Sequence, residues 1–279
     1  MKDGSQIFDP RQVMQEDGFE VFHYREPRPN AVGVHHHDFY EVYFLLSGNV
    51  EYWVEGRLIR LNPGDLLLIN PMELHRPVLQ DQEQLYERIV LWIRCGYLQE
   101  LQPELCRCFS QDLPNRIQLA ATERSSIKTQ LLELVREYYS KDFGSRICAQ
   151  GIFLQFMVQL NRLALHTDKT QQEGEPLSDL VRQTLEYIGE NISQSLSLEG
   201  LAAQFYVSKY HLAHAFSREV GVSVYRYILL KRLLMARQML SAGEPAGQVC
   251  RNCGFSDYTS FYRAFKGEYG ISPKEFAIM

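Results

Sequence analysis

The strongest constraint on this chain is a short unit that it contains twice. Leu212-Ala213-His214-Ala215-Phe216-Ser217-Arg218-Glu219-Val220-Gly221-Val222-Ser223 aligns with Phe261-Tyr262-Arg263-Ala264-Phe265-Lys266-Gly267-Glu268-Tyr269-Gly270-Ile271-Ser272 at a fixed offset of 49 residues. The alignment matches Phe216 with Phe265, Glu219 with Glu268, Gly221 with Gly270 and Ser223 with Ser272. Position-matched identity at one offset marks a duplicated supersecondary unit. Ser197 to Phe276 therefore has to fold as two copies of one module.

Each copy reads as a short helix, a tight turn and a second helix. In the first, Ser197 caps a helix carrying Leu198, Leu201, Ala202 and Phe205 at helical spacing. Val207 falls in the turn, and Ser208 caps a helix with Leu212, Phe216 and Val220 on its inner face, stopped by Gly221. In the second, Pro245 suits a first helical turn, Gly254 makes the turn and Phe255 plugs it. Ser256 or Asp257 then caps a helix with Phe261, Phe265 and Tyr269 on one face. Two helices joined by so short a turn form the shape that lays its second helix in a DNA major groove. Between the copies, Val224 to Leu240 has no breaker and reads as one helix of roughly 25 Å. Neighbouring major-groove faces lie about 34 Å apart, so such a helix suits two readers on successive grooves.

Tyr210-x-Leu212-x3-Phe216, Arg232-Leu233 with Ala236, Gly254-Phe255-Ser256-Asp257, Phe261-x3-Phe265-Lys266 and Gly270-Ile271-Ser272-Pro273 together resemble the paired helix-turn-helix domain of AraC-type transcription regulators. The resemblance covers about 80 residues, with Gly200 standing where that family's capping-box Glu is usual. Carried over by position, its base-reading places fall on Tyr210, Ala213 and His214, and in the second helix on Tyr258, Thr259, Ser260 and Arg263. An arginine at 263 suits the O6/N7 edge of guanine, and Ala213 suits a thymine methyl. Lys209, Arg218, Lys231, Arg251, Lys266 and Lys274 are the candidate phosphate contacts, which add affinity with little sequence information.

Charge distribution agrees with this division better than net charge does. The whole chain carries −5, which by itself argues against nucleic acid. From Ser197 onward there are ten Lys/Arg against six Asp/Glu, a balance of +4 that leaves −9 for the remainder. A mildly basic module on an acidic one is compatible with DNA binding. The composition, 45% hydrophobic and 23% charged, is that of a globular protein long enough for two cores. Six scattered cysteines form no disulfide framework, and neither Cys106-x-Cys108 nor Cys250-x2-Cys253 has a second ligand pair at finger spacing. The N-terminus is polar and no apolar run approaches ~18 residues; the expectation is a reduced, cytoplasmic protein with no membrane partner.

The first third reads as short strands: Phe19–Tyr24, Phe39–Ser47, Val50–Val54, Arg57–Leu61, Asp65–Ile69 and Tyr86–Arg94. They are separated by Ser47-Gly48-Asn49, Glu55-Gly56 and Asn62-Pro63-Gly64-Asp65, as in a double-sheet jelly roll or small barrel. Within it, His35-x-His37-x3-Glu41-x6-Gly48, Pro63-Gly64-Asp65 and Pro71-x3-His75 resemble the two motifs of the cupin barrel. There the positions of His35, His37, Glu41 and His75 are metal ligands, for a divalent transition ion with open positions. Many AraC-type sensors resemble this barrel without a metal, and the same groups then bind an effector's hydroxyls. Surface histidines with a solvated Glu41 are the plain alternative. Arg88 shares a strand face with Val90 and Trp92, as a ligand donor or an edge salt bridge. Tyr43 shares one with Glu41, to stack on a sugar ring or to fill the core.

Two apolar stripes follow, Ile127/Leu131/Leu134/Val135/Tyr138 and Ile152/Phe153/Phe156/Met157/Leu160/Leu163/Ala164, on helices that cover the barrel. By the resemblance, a surplus face on them makes a homodimer contact. Thr167 to Ser178 is polar, with Gly and Pro, and reads as a linker.

The expected architecture is thus α+β with two domains. Residues 1–166 form a cupin-like jelly-roll barrel with flanking helices, 167–178 the linker, and 179–279 an all-α double helix-turn-helix domain. The expected function is that of a sequence-specific transcription regulator, not an enzyme, with double-stranded DNA, a small polar effector (a carbohydrate) and, for an activator, RNA polymerase as partners. The alternatives are a metal-binding cupin, enzyme or sensor, built on His35, His37, Glu41 and His75, and an effector-independent DNA-binding protein whose barrel only dimerises.

Overall fold

The computed structural model describes residues 13–27, 32–79, 85–110, 112–167 and 177–278. The chain divides into two compact units at Pro176/Leu177. Most of the expected linker, residues 168–176, lies outside the described residues.

The first unit is built on period-two alternation. Strands β1 (Phe19–Glu26), β2 (Phe39–Ser47), β5 (Leu66–Ile69), β7 (Tyr86–Arg94) and β8 (Arg116–Ile117) form a five-stranded antiparallel sheet in the order β1-β7-β2-β5-β8. Strands β3 (Val50–Val54), β4 (Arg57–Leu61) and β6 (His75–Leu79) form a second sheet in the order β4-β3-β6. Between the sheets, Phe22, Tyr24, Phe39, Tyr43, Val90 and Trp92 meet Val50, Tyr52 and Ile59. The alternate residues Val21, Val42, Phe44, Ile89, Leu91 and Ile93 face the other way. They are covered by helices α1 (Cys95–Leu101), α2 (Ala121–Tyr139) and α3 (Ser145–His166) and a 3-10 turn over Pro103–Phe109. Phe153 of the second stripe stacks on Phe19 at 4.3 Å. Both stripes point at the sheet, as their spacing predicts.

The first strand runs two residues past the expected Tyr24, to Glu26, and three further details differ from the sequence expectation. The fifth strand starts at Leu66 because Asp65 is spent on the turn. Its carboxylate accepts from the Asn62 amide at 2.9 Å and from Arg116, and its own amide donates to Asn62 O. The strand His75–Leu79 is absent from the expectation because Pro77 lies in its middle. It is the outer strand of its sheet, where a missing donor is tolerated. The two-residue β8 is too short to show any alternation.

The second unit is all helical: α4 (Asp179–Glu190), α5 (Leu198–Gln204), α6 (Lys209–Val220), α7 (Val224–Ser241), α8 (Ala246–Asn252), α9 (Tyr258–Tyr269) and α10 (Pro273–Phe276). The duplicated modules are α5/α6 and α8/α9. Ser197, Ser208 and Asp257 each accept from the amide three residues on, at 3.0, 3.2 and 2.8 Å. Ser197 caps without a capping-box partner, because position 200 is glycine. Pro245 stands just outside α8 as its N-cap residue rather than in its first turn. Leu212, Phe216 and Val220 are buried in one module, and Phe261 and Phe265 in the other. Cys250 and Cys253 lie in the second module's core, and all six cysteines are free thiols.

Candidate functional site

Two places on the molecule can do chemistry with a partner: the space between the sheets of the first unit, and the outer faces of α6 and α9.

Polar groups enter the intersheet space because they occupy the same parity as its aromatic residues. Glu41 lies opposite Trp92 in the β2/β7 ladder, and the Trp92 indole donates to Glu41 Oε2 at 2.7 Å. His37 approaches the same oxygen with Nε2 at 3.5 Å. His75 completes the group: one donor atom each from His37, Glu41 and His75 lies within 4.8 Å of the others, and all three residues are buried. Burial raises a carboxyl, but at Glu41 the His37, His35 and Trp92 groups reverse that and hold it below its usual value. Burial, with His35 and His37 alongside, pushes His75 well below the ordinary histidine range, so its ring is neutral.

The tautomer of each ring follows from its partner. His37 Nδ1 lies 2.9 Å from Phe39 O, and His75 Nδ1 lies 2.8 Å from Glu73 O. A carbonyl only accepts, so Nδ1 carries the proton in both rings, and Nε2 of the neutral His75 ring keeps a lone pair. His75 Nε2 is buried with no hydrogen-bond partner among the described residues. A histidine oriented by a carbonyl at one nitrogen and offering a lone pair at the other is the arrangement metal ligands take. The donor set fits a divalent transition ion, which His37, Glu41 and His75 would hold and which would act as a Lewis acid toward a bound ligand. His35 departs from the expected foursome: its ring stacks edge-on against His75 at 4.2 Å, with Nδ1 on Gly33 O at 2.9 Å, and it lies outside the three-atom cluster.

Four residues along β7, roughly 13 Å away, the interior changes character. Arg88 is buried and donates to Glu26 at 2.6 Å, with its guanidinium carbon 4.1 Å from the centre of the Tyr86 ring and 4.9 Å from that of Tyr24. It is not an edge salt bridge, because β7 runs between β1 and β2. Burial alone would lower its guanidinium, and the Tyr86 and Tyr43 phenols with Glu26 reverse that. Tyr43 is wholly buried and donates to the Tyr86 hydroxyl at 2.7 Å. Its ring is core, 5.0 Å from that of Tyr52 on the opposite sheet.

On the second unit, packing of Leu212, Ala215 and Phe216 inward leaves Lys209, Tyr210, His214, Ser217 and Arg218 exposed and Ala213 half-buried on α6. On α9, Tyr258, Thr259, Ser260, Arg263 and Lys266 are exposed. Ser260 is partly committed, since its hydroxyl bonds Asp257 at 2.7 Å. Sequence reasoning passed over His211 and Tyr262, which share these outer faces. The repeat offset itself was the signal, for it pairs His211 with Ser260 and Ala213 with Tyr262. Among the phosphate candidates, Lys209 pairs with Glu199 at 3.0 Å and Arg218 with Glu219 at 2.9 Å. Surface pairs of this kind are weak and open readily to a phosphate. Arg251 and Lys274 are exposed and Lys231 is half-buried.

A family model of the AraC-like ligand-binding domain matches residues 18–157, half of the chain, and one of a helix-turn-helix domain matches residues 201–277. The chain belongs to the AraC-type transcription regulators. In that family the helical unit binds DNA and the sheet-built unit binds a small-molecule effector. The chain is 22% identical over 258 residues to the HTH-type transcriptional activator RhaS of Escherichia fergusonii, covering 90% of each. It is 23% identical over 245 residues to the probable transcriptional regulator LumQ of Photobacterium leiognathi, covering 87% of this chain and 90% of that one. The C-terminal domain of AraT, a response regulator from Geobacillus stearothermophilus, is 30% identical, covers 37% of this chain and 86% of that one, and superimposes with a TM-score of 0.36. Among the described residues, no helix is long and apolar enough to cross a membrane.

For an AraC-type regulator these faces carry a mutational expectation. Arg263→Ala should weaken operator binding by about 1–3 kcal/mol and relax preference at one base pair, whereas Lys266→Ala should weaken all sequences alike and flatten the salt dependence. Binding titrations on an operator and its single-base variants separate the two. An unchanged sequence preference in Arg263→Ala would place the second reader elsewhere.

Proposed function

We propose that this regulator is a cytoplasmic homodimer that acts by binding and not by catalysis, with a carbohydrate or similar polar metabolite as effector. Effector binding between the sheets changes how the two helix-turn-helix modules are presented to operator DNA, a linkage of two binding equilibria. RNA polymerase is a further partner if the protein activates, as its relatives named RhaS do. Tyr210, Ala213, His214, Tyr258, Thr259, Ser260 and Arg263 read bases.

The observation that carries the effector reading is the composition of the intersheet space. A sugar offers hydroxyls that both donate and accept, on an apolar ring. The interior offers the Glu41 carboxylate, the open lone pair of His75 Nε2 and the Trp92 ring within one cluster. Few convergent polar groups among aromatic walls are what small-ligand sites consist of. Because Trp92 bonds Glu41, its fluorescence reports occupancy there. Titration with a panel of sugars and sugar acids should find one class that shifts Trp92 emission and changes operator affinity by about 5–150-fold. No response in either signal across the panel would favour a barrel that only dimerises.

The dimer reading rests on α3, where Ile147, Val158 and Leu165 are exposed and Leu154 is half-buried along one stripe, with Phe143 exposed just before the helix. Such a face is one an aqueous monomer does not retain without use. Ile147→Glu combined with Val158→Glu should halve the mass seen by sedimentation, and an unaltered dimer would move the interface off this helix.

A second reading is favoured by the buried lone pair of His75 Nε2. A divalent transition ion held by His37, Glu41 and His75 would supply open coordination positions for effector hydroxyls. Metal analysis of the purified chain is expected to give one ion per protomer, lost in His75→Ala. A metal-free protein that still binds its effector would exclude this reading.

A further inference from the structure

The two duplicated turns have the same backbone but different surroundings. Tyr206 in the first turn and Gly254 in the second each stand one residue past the C-cap of the module's first helix. Both take left-handed backbone, with φ of 55° and 76°. The same bond closes each turn, from Val207 N to Ala202 O at 3.0 Å and from Phe255 N to Cys250 O at 3.2 Å. Tyr206 is almost fully exposed, so the turn by itself admits a side chain. At Gly254 the surroundings do not. A Cβ there would stand 2.8 Å from Ile192 O and 2.9 Å from both Ser193 C and Ser193 O, closer than such atoms approach. These are backbone atoms with no flexible end to give way. Glycine at 254 is therefore required by contact as well as favoured by the left-handed turn.

The atoms that it touches belong to the other module's side of the unit. Residues 192–193 lie between α4 and α5, ahead of the first helix-turn-helix. Arg232, midway along α7, reaches the same segment: its Nε donates to Ile192 O at 3.1 Å and its Nη2 to Gln194 O at 2.6 Å. Its guanidinium carbon lies 6.0 Å from the centre of the Phe255 ring, the residue after Gly254. Beside this seam the modules part around a cleft of 260 Å³ with Leu198, Ile228, Phe255 and Ala264 in its walls. The helix α7 joins both cores, with Tyr227 packed edge-on against Phe216 in the first and Leu233, Ala236 and Leu240 in the second. Because α7 is part of both cores it joins the modules, and the seam at residues 192–194 adds a second contact between them.

We propose that Arg232 and Gly254 are positioning residues for DNA recognition. Seated on the carbonyls of residues 192–194, they hold α6 and α9 at one separation and angle, so that the two modules act as a single reader with a fixed spacing between its half-sites. The proposal rests on the reading that both modules engage DNA, and its test separates the two ideas.

The full-length chain is titrated with three DNA sets: its two-box operator, the same boxes moved apart or together by one or two base pairs, and an operator with one box scrambled. The wild type is expected to prefer the native spacing sharply. Arg232→Ala and Gly254→Ala should bind the native operator roughly ten-fold or more weakly, the discrimination that one misplaced base contact carries. They should keep wild-type affinity for single-box DNA, which also shows that they fold, and bind the respaced operators nearly as well as the native one. Arg232→Lys, which can still donate to one carbonyl, should recover part of the spacing preference. Equal losses on one-box and two-box DNA, or an intact spacing preference in both alanine variants, overturn the proposal. A wild type indifferent to spacing, or to the loss of one box, overturns the two-module reading beneath it.

Discussion

The sensor unit depends on the fact that β7 is buried on both faces and yet has to serve two different environments. Its odd-numbered residues Ile89, Leu91 and Ile93 supply the helix-covered core, and its even-numbered residues Tyr86, Arg88, Val90 and Trp92 supply the space between the sheets. A slip of one residue would exchange the two sets and bury Arg88 under the helices without Glu26, an uncompensated charge costing about 3–5 kcal/mol. Register, polar interior and helix packing are therefore one constraint seen three times. The same alternation places Trp92 opposite Glu41, which ties the interior's imidazole and carboxylate cluster to the central strands.

The helical unit obeys a different rule, in which duplication supplies the parts and local caps set their limits. Six of the seven helices among the described residues start on a side-chain cap, at Ser178, Ser197, Ser208, Ser223, Asp257 and Ser272, and the left-handed glycines at 221 and 270 end the two reading helices. The repeated glutamates take up related tasks: Glu219 accepts from the backbone and side chain of Ser178 at the head of α4, and Glu268 from Arg226 at the head of α7. Each ties the end of a reading helix to the beginning of a neighbouring helix. The two readers are nonetheless chemically unlike. The first face offers Tyr210, His211 and His214, and the second Tyr258, Tyr262 and Arg263. Unlike readers predict an operator with unlike halves.

Much of this was legible from residue order because the relevant signals are local. Period-two runs bounded by Gly and Pro located six of the eight strands among the described residues, and the repeat located both modules to within a residue or two. Pro77 hid a strand because strand propensity is judged without knowing that a strand lies at an edge. The candidate site was legible in composition and not in geometry. The motif put His35, His37, Glu41 and His75 on equal terms, but whether a ring aims at its neighbours depends on which carbonyl takes its other nitrogen. Arg88 could not be assigned either, because its partner Glu26 is 62 residues away and meets it only through the β1/β7 register. Gly254 read as a turn glycine. Its closer reason, the backbone at residues 192–193, is a tertiary contact that no local pattern contains.

The central claim is that this chain reads specific DNA, and the most direct test is to let it choose. Purified protein is mixed with sheared DNA from its own genome and the retained fragments are sequenced. The account predicts enrichment of a few promoters sharing two unlike boxes about one helical turn, roughly 34 Å, apart. Even retention across the genome, or none at low salt where phosphate attraction is strongest, would contradict it.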